Sequence, residues 1–160
     1  MSSKSVWSPR RARGERVSRA QDLPRWARQL GHAGLLPFVG GALLVHLVWP
    51  EAHPYAVLAL AAYAATIVAF LGGVHWGVAF TQSQPDPRLF AWGVVPSLVA
   101  WVAIVMPPSA GLVVLGVMLV ACYAVDRRLY VAHGLQRWLV LRFRLSAVAA
   151  LSCFLGAAGS

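Results

Sequence analysis

Five long stretches of this 160-residue chain consist almost entirely of apolar residues. Residues 29–50, 52–85, 89–125 and 145–160 contain no Asp, Glu, Lys or Arg. A helix needs roughly 20 apolar residues to cross a hydrocarbon core about 30 Å thick. The sequence therefore predicts an all-α fold, a polytopic membrane bundle of about five transmembrane helices at residues 30–49, 55–77, 90–106, 109–125 and 139–158.

The third and fourth stretches are short and are separated only by Pro107 and Pro108. They form either a tight hairpin of two spans or one long, broken span. We favour two spans.

Positive charge is confined to one side of this predicted bundle. Lys and Arg number 14 against five Asp and Glu, for a net charge of +9. They precede span one, separate spans two and three, or lie between spans four and five and at the start of span five. The positive-inside rule then predicts an N terminus inside and a C terminus outside. Attraction to anionic lipids at the inner face explains the charge, and we expect no nucleic-acid partner.

Residues 1–28 are predicted to form a disordered, basic cytoplasmic tail, and residues 29–160 the transmembrane domain. The tail is rich in Arg and Ser, which would also suit a mitochondrial presequence. The strong preference for Arg over Lys is more typical of a bacterial chain. We expect the bacterial inner (cytoplasmic) membrane, with the mitochondrial inner membrane as the alternative.

Span two carries a small residue at every fourth position, which is one smooth stripe on a helix. Such stripes allow another membrane helix to approach closely. The predicted packing stripe consists of Ala61, Ala65, Ala69, Gly73 and Gly77.

Two spans contain a proline, Pro37 in span one and Pro96 in span three. Proline removes one backbone donor and clashes with the carbonyl four residues earlier, so both positions are predicted helix kinks. Each lies at the end of a Gly-x-x-Pro pattern. The repeated pattern arises either from duplication of a two-helix unit or by coincidence.

The histidines permit one cofactor hypothesis. His32 and His75 are predicted near the inner face, and His46 and His53 near the outer face. Two interhelical pairs of imidazoles at two depths would suit the axial ligands of a b-type haem protein. The competing interpretation is that imidazoles simply lie at membrane interfaces, and we expect no cofactor and no metal.

Helix ends that meet on the inner side bring together a candidate polar cluster of His75, Trp76, Asp126 and Arg142. An ion pair between Asp126 and Arg142 would hold spans four and five together. We favour this structural clamp over a ligand site. The chain shows no nucleophile elbow, metal-ligand spacing or paired carboxylates, so we expect no catalytic residues and no enzyme.

Several segments in order, LGHAGLLPF, FLGGVHWG, VPSLVAW, the position of Asp126 and RWLVLRFRLS, resemble the domain of unknown function 3429 family of transmembrane protein 69-like integral membrane proteins. The resemblance covers about residues 30–147. It implies a multi-pass inner-membrane protein of bacteria or mitochondria without an established activity. Ser146 departs from the threonine that is typical of the family.

Together these observations predict a small non-enzymatic binding, accessory or assembly component of the inner membrane. Its partners would be anionic lipids at the inner face and other membrane proteins or further copies of itself. A carrier or channel for a neutral or lipid-like solute and a b-type haem protein are the alternatives.

Overall fold

The computed structural model describes residues 24–132 and 136–160, and the chain is α-helical throughout these ranges apart from short connections. Residues 1–23, most of the predicted basic tail, lie outside the described residues. The helices are α1 (Arg25–Ala33), α2 (Leu36–Leu47), α3 (His53–Phe80), α4 (Pro87–Val105), α5 (Pro108–Ala132) and α6 (Leu139–Ala158), with a 3-10 turn at Gln136–Trp138 before α6.

Five helical segments are long and apolar enough to cross a membrane, which confirms the predicted all-α bundle of five spans. They are Arg25–Leu47, His53–Phe80, Pro87–Val105, Pro108–Ala132 and Gln136–Ala158. The first segment combines α1 and α2. Because α1 begins at Arg25, the domain boundary predicted after residue 28 falls inside a helix.

The helix break in the first span lies just before Pro37. Residue 37 is at the start of α2, and the chain between Ala33 and Leu36 is a turn. Proline at position 37 cannot donate to the carbonyl of residue 33, so the regular α-helical ladder stops there. The Tyr63 hydroxyl of α3 donates to the Gly34 carbonyl at 2.8 Å, so a neighbouring helix supplies a donor at the break.

Pro96 behaves differently, because α4 continues without interruption from Pro87 to Val105. Pro96 is buried inside the bundle, whereas Pro37 is exposed. The two Gly-x-x-Pro segments therefore have different structures, which argues against a duplicated unit.

Helix α3 is central, since it packs against α2, α4, α5 and α6. Its closest approach is to α4, where a Cβ added at Gly72 would collide with the carbonyl of Gly93. A second close approach joins α4 and α5, where a Cβ at Gly111 would collide with the carbonyl of Ala103. Residues 106 and 107 therefore connect two separate antiparallel helices rather than interrupting one.

Within the bundle, the predicted packing stripe is wrong at its two glycines. Ala61 and Ala65 are buried, but Gly73 and Gly77 are exposed, and a Cβ at either would meet nothing within 4 Å. Ala69 is partly buried. The glycine that permits the close approach is Gly72, because the face that α3 turns towards its neighbours follows Val68, Gly72 and His75.

Candidate functional site

Successive antiparallel helices bring the start of α1, α4 and α6 and the end of α3 and α5 to one end of the bundle. The arginines of the described residues lie at this end, which we call the basic end. Of the four buried polar or charged residues described, His75, Asp126 and Ser146 lie in the half of their helices nearest this end. The site therefore lies in the basic half of the bundle.

The centre of the site is Asp126, near the end of α5 and only 2% exposed. Arg142 of α6 donates from Nε to Asp126 Oδ2 at 2.7 Å, and its Nη1 donates to the Ser146 hydroxyl at 2.8 Å. The Arg142 side chain is 12% exposed. A guanidinium and a carboxylate at this distance form a charge-assisted hydrogen bond, the strong class of such bonds.

His75 of α3 completes the cluster from the opposite side of the carboxylate. Its ring is 1% exposed, and Nε2 lies 3.3 Å from Asp126 Oδ1. Its Nδ1 lies 3.2 Å from the Leu71 carbonyl, one turn earlier on the same helix. A carbonyl only accepts, so this contact is a hydrogen bond when the ring proton is on Nδ1.

The tautomer of the ring decides which of its two neighbours the ring proton faces. A proton on Nδ1 faces the Leu71 carbonyl, whereas a proton on Nε2 faces the Asp126 carboxylate. Arg142 supplies the positive charge that balances Asp126.

The polar cluster comprises His75, Asp126, Arg142 and Ser146 and joins three helices, α3, α5 and α6. Four buried polar atoms in and around it lack a hydrogen-bond partner among the described residues, namely His75 Nε2, Asp126 Oδ1, Arg142 Nη2 and Trp92 Nε1. The Trp92 ring lies 6.5 Å from the His75 ring, centroid to centroid. Tyr130, one turn beyond Asp126, also interacts with Arg142.

Of the four residues expected at this site, the structure assembles His75, Asp126 and Arg142. Trp76 instead points towards α4, where its Nε1 donates to the Phe90 carbonyl at 3.0 Å and its ring packs against Phe80 and Phe90. Neighbouring residues on a helix are turned by about 100°, so His75 and Trp76 serve different interfaces. Ser146 in the cluster and Trp92 beside it were not expected. Ser146 could have been predicted from its spacing, because it follows Arg142 by four positions and residues i and i+4 share one face of a helix.

Each of the four histidines considered as haem ligands contacts a backbone carbonyl. Besides the contact of His75 described above, His32 Nδ1 lies 2.7 Å from the Arg28 carbonyl, His46 Nε2 lies 3.2 Å from that of Leu155, and His53 Nε2 lies 2.8 Å from that of Gly159. The described residues contain no group of three or more His, Cys, Asp or Glu that could hold a metal ion. At the opposite end of the bundle, His46 and His53 accordingly bind the last turn of α6.

An apolar groove of about 210 Å³ runs along the bundle beside the polar cluster. Gly31 and Gly34 line it on one side, and Arg142, Ser146 and Ala149 line it from α6. These α6 residues extend about 10 Å along the helix at about 1.5 Å per residue. The groove therefore has a polar wall towards the basic end and apolar walls deeper in the bundle.

Comparison with known proteins relates the whole described bundle to one family. The family model described as protein of unknown function (DUF3429) matches residues 23–158. Transmembrane protein 69 of Xenopus tropicalis is 36% identical over 107 residues, which are 62% of this chain and 42% of that protein. Transmembrane protein 69 of Mus musculus is 28% identical over 135 residues, 82% of this chain and 55% of that protein.

This chain thus spans about half the length of the curated relatives it matches. No solved structure matches it. The relatives and the five apolar helices make this a multi-pass membrane protein, and the resemblance seen in the sequence is confirmed.

Proposed function

This chain belongs to the DUF3429 family, and we propose that it is a non-enzymatic membrane protein that acts by binding other membrane components, as an accessory or assembly partner. The observation that supports this role most directly is the burial of its polar groups against one another. His75 and Asp126 are 1% and 2% exposed, and Asp126 is held by Arg142 at 2.7 Å.

A catalytic acid, base or nucleophile has to reach the proton or atom on which it acts. His75 and Asp126 lie between three helices and face inward, so a reactant would have to separate those helices to reach them, whereas Arg142 and Ser146 border the groove. Cys122 and Cys153 are likewise buried in the apolar core. These placements favour a structural role, in which the polar cluster holds the helices in one arrangement, rather than a catalytic role.

A fixed bundle of this kind offers its outer surface for binding. Large apolar side chains cover the lipid-facing sides, and on α3 the exposed Gly73 and Gly77 leave room for a close neighbour. Small residues on an exposed helix face are typical of contacts between membrane helices. A second membrane protein or a second copy of this chain would fit this face.

The experiment is crosslinking in intact membranes followed by purification in mild detergent, native gels and mass spectrometry. We expect a reproducible partner or a homo-oligomer, and we expect Gly73→Leu to reduce its yield. Gly40→Leu is the matched control. A Cβ at Gly40 also meets nothing within 4 Å, but Gly40 lies on α2 rather than α3. A monomer without any partner, for the natural chain and both variants alike, would contradict the proposal.

The second candidate is a carrier for a neutral or lipid-like solute, and the groove beside the broken first span favours it. A carrier has to expose its path to each side of the membrane in turn. Single cysteines placed at residues 34–41 would then react with a water-soluble thiol reagent from both sides. Labelling from neither side would leave the groove as a binding feature without transport.

We also propose that the basic end faces the cytoplasm, with the N terminus inside and the C terminus outside. The positive-inside rule supports this orientation, because every arginine of the described residues lies at the basic end. These are Arg25, Arg28, Arg88, Arg127, Arg128, Arg137, Arg142 and Arg144. The same charge pattern favours anionic lipids as partners and the bacterial inner membrane as location, with the mitochondrial inner membrane as alternative. Reporter fusions at residue 160 that are active only in the cytoplasm would contradict the orientation.

A further inference from the structure

The groove next to the polar cluster has the layout of a lipid site. Its deep end is lined by Phe38, Ile67 and Ala149, which present only apolar atoms, and its other end reaches Arg142 and Ser146. Leu30 and Phe70 at the rim are 68% and 67% exposed, so the groove is open on its lipid-facing side. An occupant would need an apolar part for the deep end and a polar part for the basic end.

The volume limits the size of the apolar part. About 210 Å³ exceeds the roughly 150 Å³ of an apolar cavity that accepts benzene, and it falls below the roughly 300 Å³ at which pockets for drug-sized ligands begin. Part of a single acyl chain fits this volume, and the rest of the chain can lie outside because the groove is open on its lipid-facing side.

The charges at the basic end indicate what the polar part should be. Arg142 already has Asp126 as its counter-ion and also interacts with Tyr130, while its Nη2 is a buried donor with no acceptor in hydrogen-bond geometry among the described residues. A neutral acceptor such as an ester carbonyl would satisfy this donor without adding an uncompensated charge to the cluster.

An anionic group fits better one turn further out. Arg28 precedes the groove residue Gly31 by three positions on α1, so the two lie on one helix face. Arg28 is exposed and takes part in no ion pair among the described residues. A phosphate at the rim would find an arginine available there.

We propose that the groove binds one anionic phospholipid of the leaflet at the basic end. One acyl chain lies between α1, α2, α3 and α6, an ester carbonyl accepts from Arg142 Nη2, and the phosphate lies beside Arg28. This inference deepens the proposed binding function and rests on it. It assigns the groove to a lipid and leaves the exposed face of α3 for protein partners.

The test uses the full chain reconstituted in phosphatidylcholine vesicles that contain a small fraction of phosphatidylglycerol with a photoactivatable acyl chain. Digestion and mass spectrometry then locate the label. We expect it to concentrate on groove peptides that contain Phe70 and Leu145. Gly34→Leu should abolish this concentration, because a Cβ at Gly34 has no contact shorter than 3.4 Å and the side chain would extend into the groove.

Gly40→Leu serves as the control for Gly34→Leu, since it adds the same side chain outside the groove. If Gly34→Leu does not fold, Leu145→Trp blocks the groove from α6 instead.

The selectivity for the headgroup is tested by moving the photoactivatable chain to phosphatidylcholine. Arg28→Gln should reduce the preference for phosphatidylglycerol by about fivefold, the factor that one arginine contributes near an anionic surface. Arg144→Gln should leave the preference unchanged, because Arg144 does not line the groove.

Two results would overturn the inference. Labels spread evenly over lipid-facing residues such as Val117 would show that the groove holds no lipid. Groove labels of equal strength from both lipids, unaffected by Arg28→Gln, would show that the occupant is not selected for its charge. Neither result bears on the protein partners found by crosslinking, so the proposed function fails or stands separately.

Discussion

The ion pair of Asp126 and Arg142 can be tested by removing each charge alone and then both together. Asp126→Asn leaves the guanidinium of Arg142, 12% exposed, without its counter-ion, and Arg142→Gln leaves a carboxylate that is 3% exposed. Breaking a buried pair from one side costs about 3–5 kcal/mol in the free energy of unfolding. Arg142 retains the Ser146 hydroxyl in Asp126→Asn, and the His75 ring stays 3.3 Å from the carboxylate in Arg142→Gln, so we expect about 3 kcal/mol for each single variant.

The double variant should lose little more than either single variant. Two isolated losses would add to about 6 kcal/mol, but the double variant contains no unpaired buried charge. Residues within one salt-bridge network typically show coupling energies of about 0.5–3 kcal/mol. We expect a coupling energy at the upper end of this range, because both side chains are buried and the two atoms are 2.7 Å apart.

The assay is equilibrium unfolding in mixed micelles, with helicity followed by circular dichroism. Asp86→Asn is the matched control for the carboxylate, because Asp86 is an exposed cap that accepts from the Arg88 amide at 2.9 Å and asparagine caps helices equally well. Arg144→Gln is the control for the guanidinium, since Arg144 is exposed. Additive losses, or single variants no less stable than these controls, would refute the clamp.

Two further predictions concern helix packing. Gly72→Ala should lower the free energy of unfolding by about 1–3 kcal/mol, because the new methyl group collides with the Gly93 carbonyl, whereas Gly73→Ala should leave it unchanged or slightly raised. Equal melting temperatures for the two alanine variants would disprove this packing. Tyr63→Phe should cost about 0.5–1.5 kcal/mol and speed amide exchange around the break between α1 and α2, because the Gly34 carbonyl loses its donor. Unchanged exchange there would mean that the break does not depend on this hydrogen bond.

The polar cluster shows how far topology alone could predict a site. Asp126 is the only acid in α5, and Arg142 is the first arginine within α6, so the antiparallel order of the two helices brings both to the same end of the bundle. His75 was expected at the same depth, but so was Trp76, and depth does not decide which of two neighbouring residues turns inward. The structure directs His75 to α5 and Trp76 to α4.

The same uncertainty explains the error in the packing stripe. A helix in water reveals its buried face by an apolar stripe against polar residues, but a helix in lipid is apolar on every side. Gly72, Gly73 and Gly77 are therefore equal candidates in the sequence. Only the position of Gly93 on α4 shows that Gly72 is the residue in contact.

The sequence by itself determined that the chain forms five membrane-spanning helices, since uncharged apolar runs of this length can be accommodated only as helices within a bilayer. It also determined that positive charge lies at one end, because the arginines occur only where spans begin or end on that side. The tertiary structure decided which helix faces meet, that Ser146 and Trp92 lie by the polar cluster, and that a groove opens beside Arg142. Those features depend on the relative rotation of packed helices, which side-chain shape sets and hydropathy does not encode.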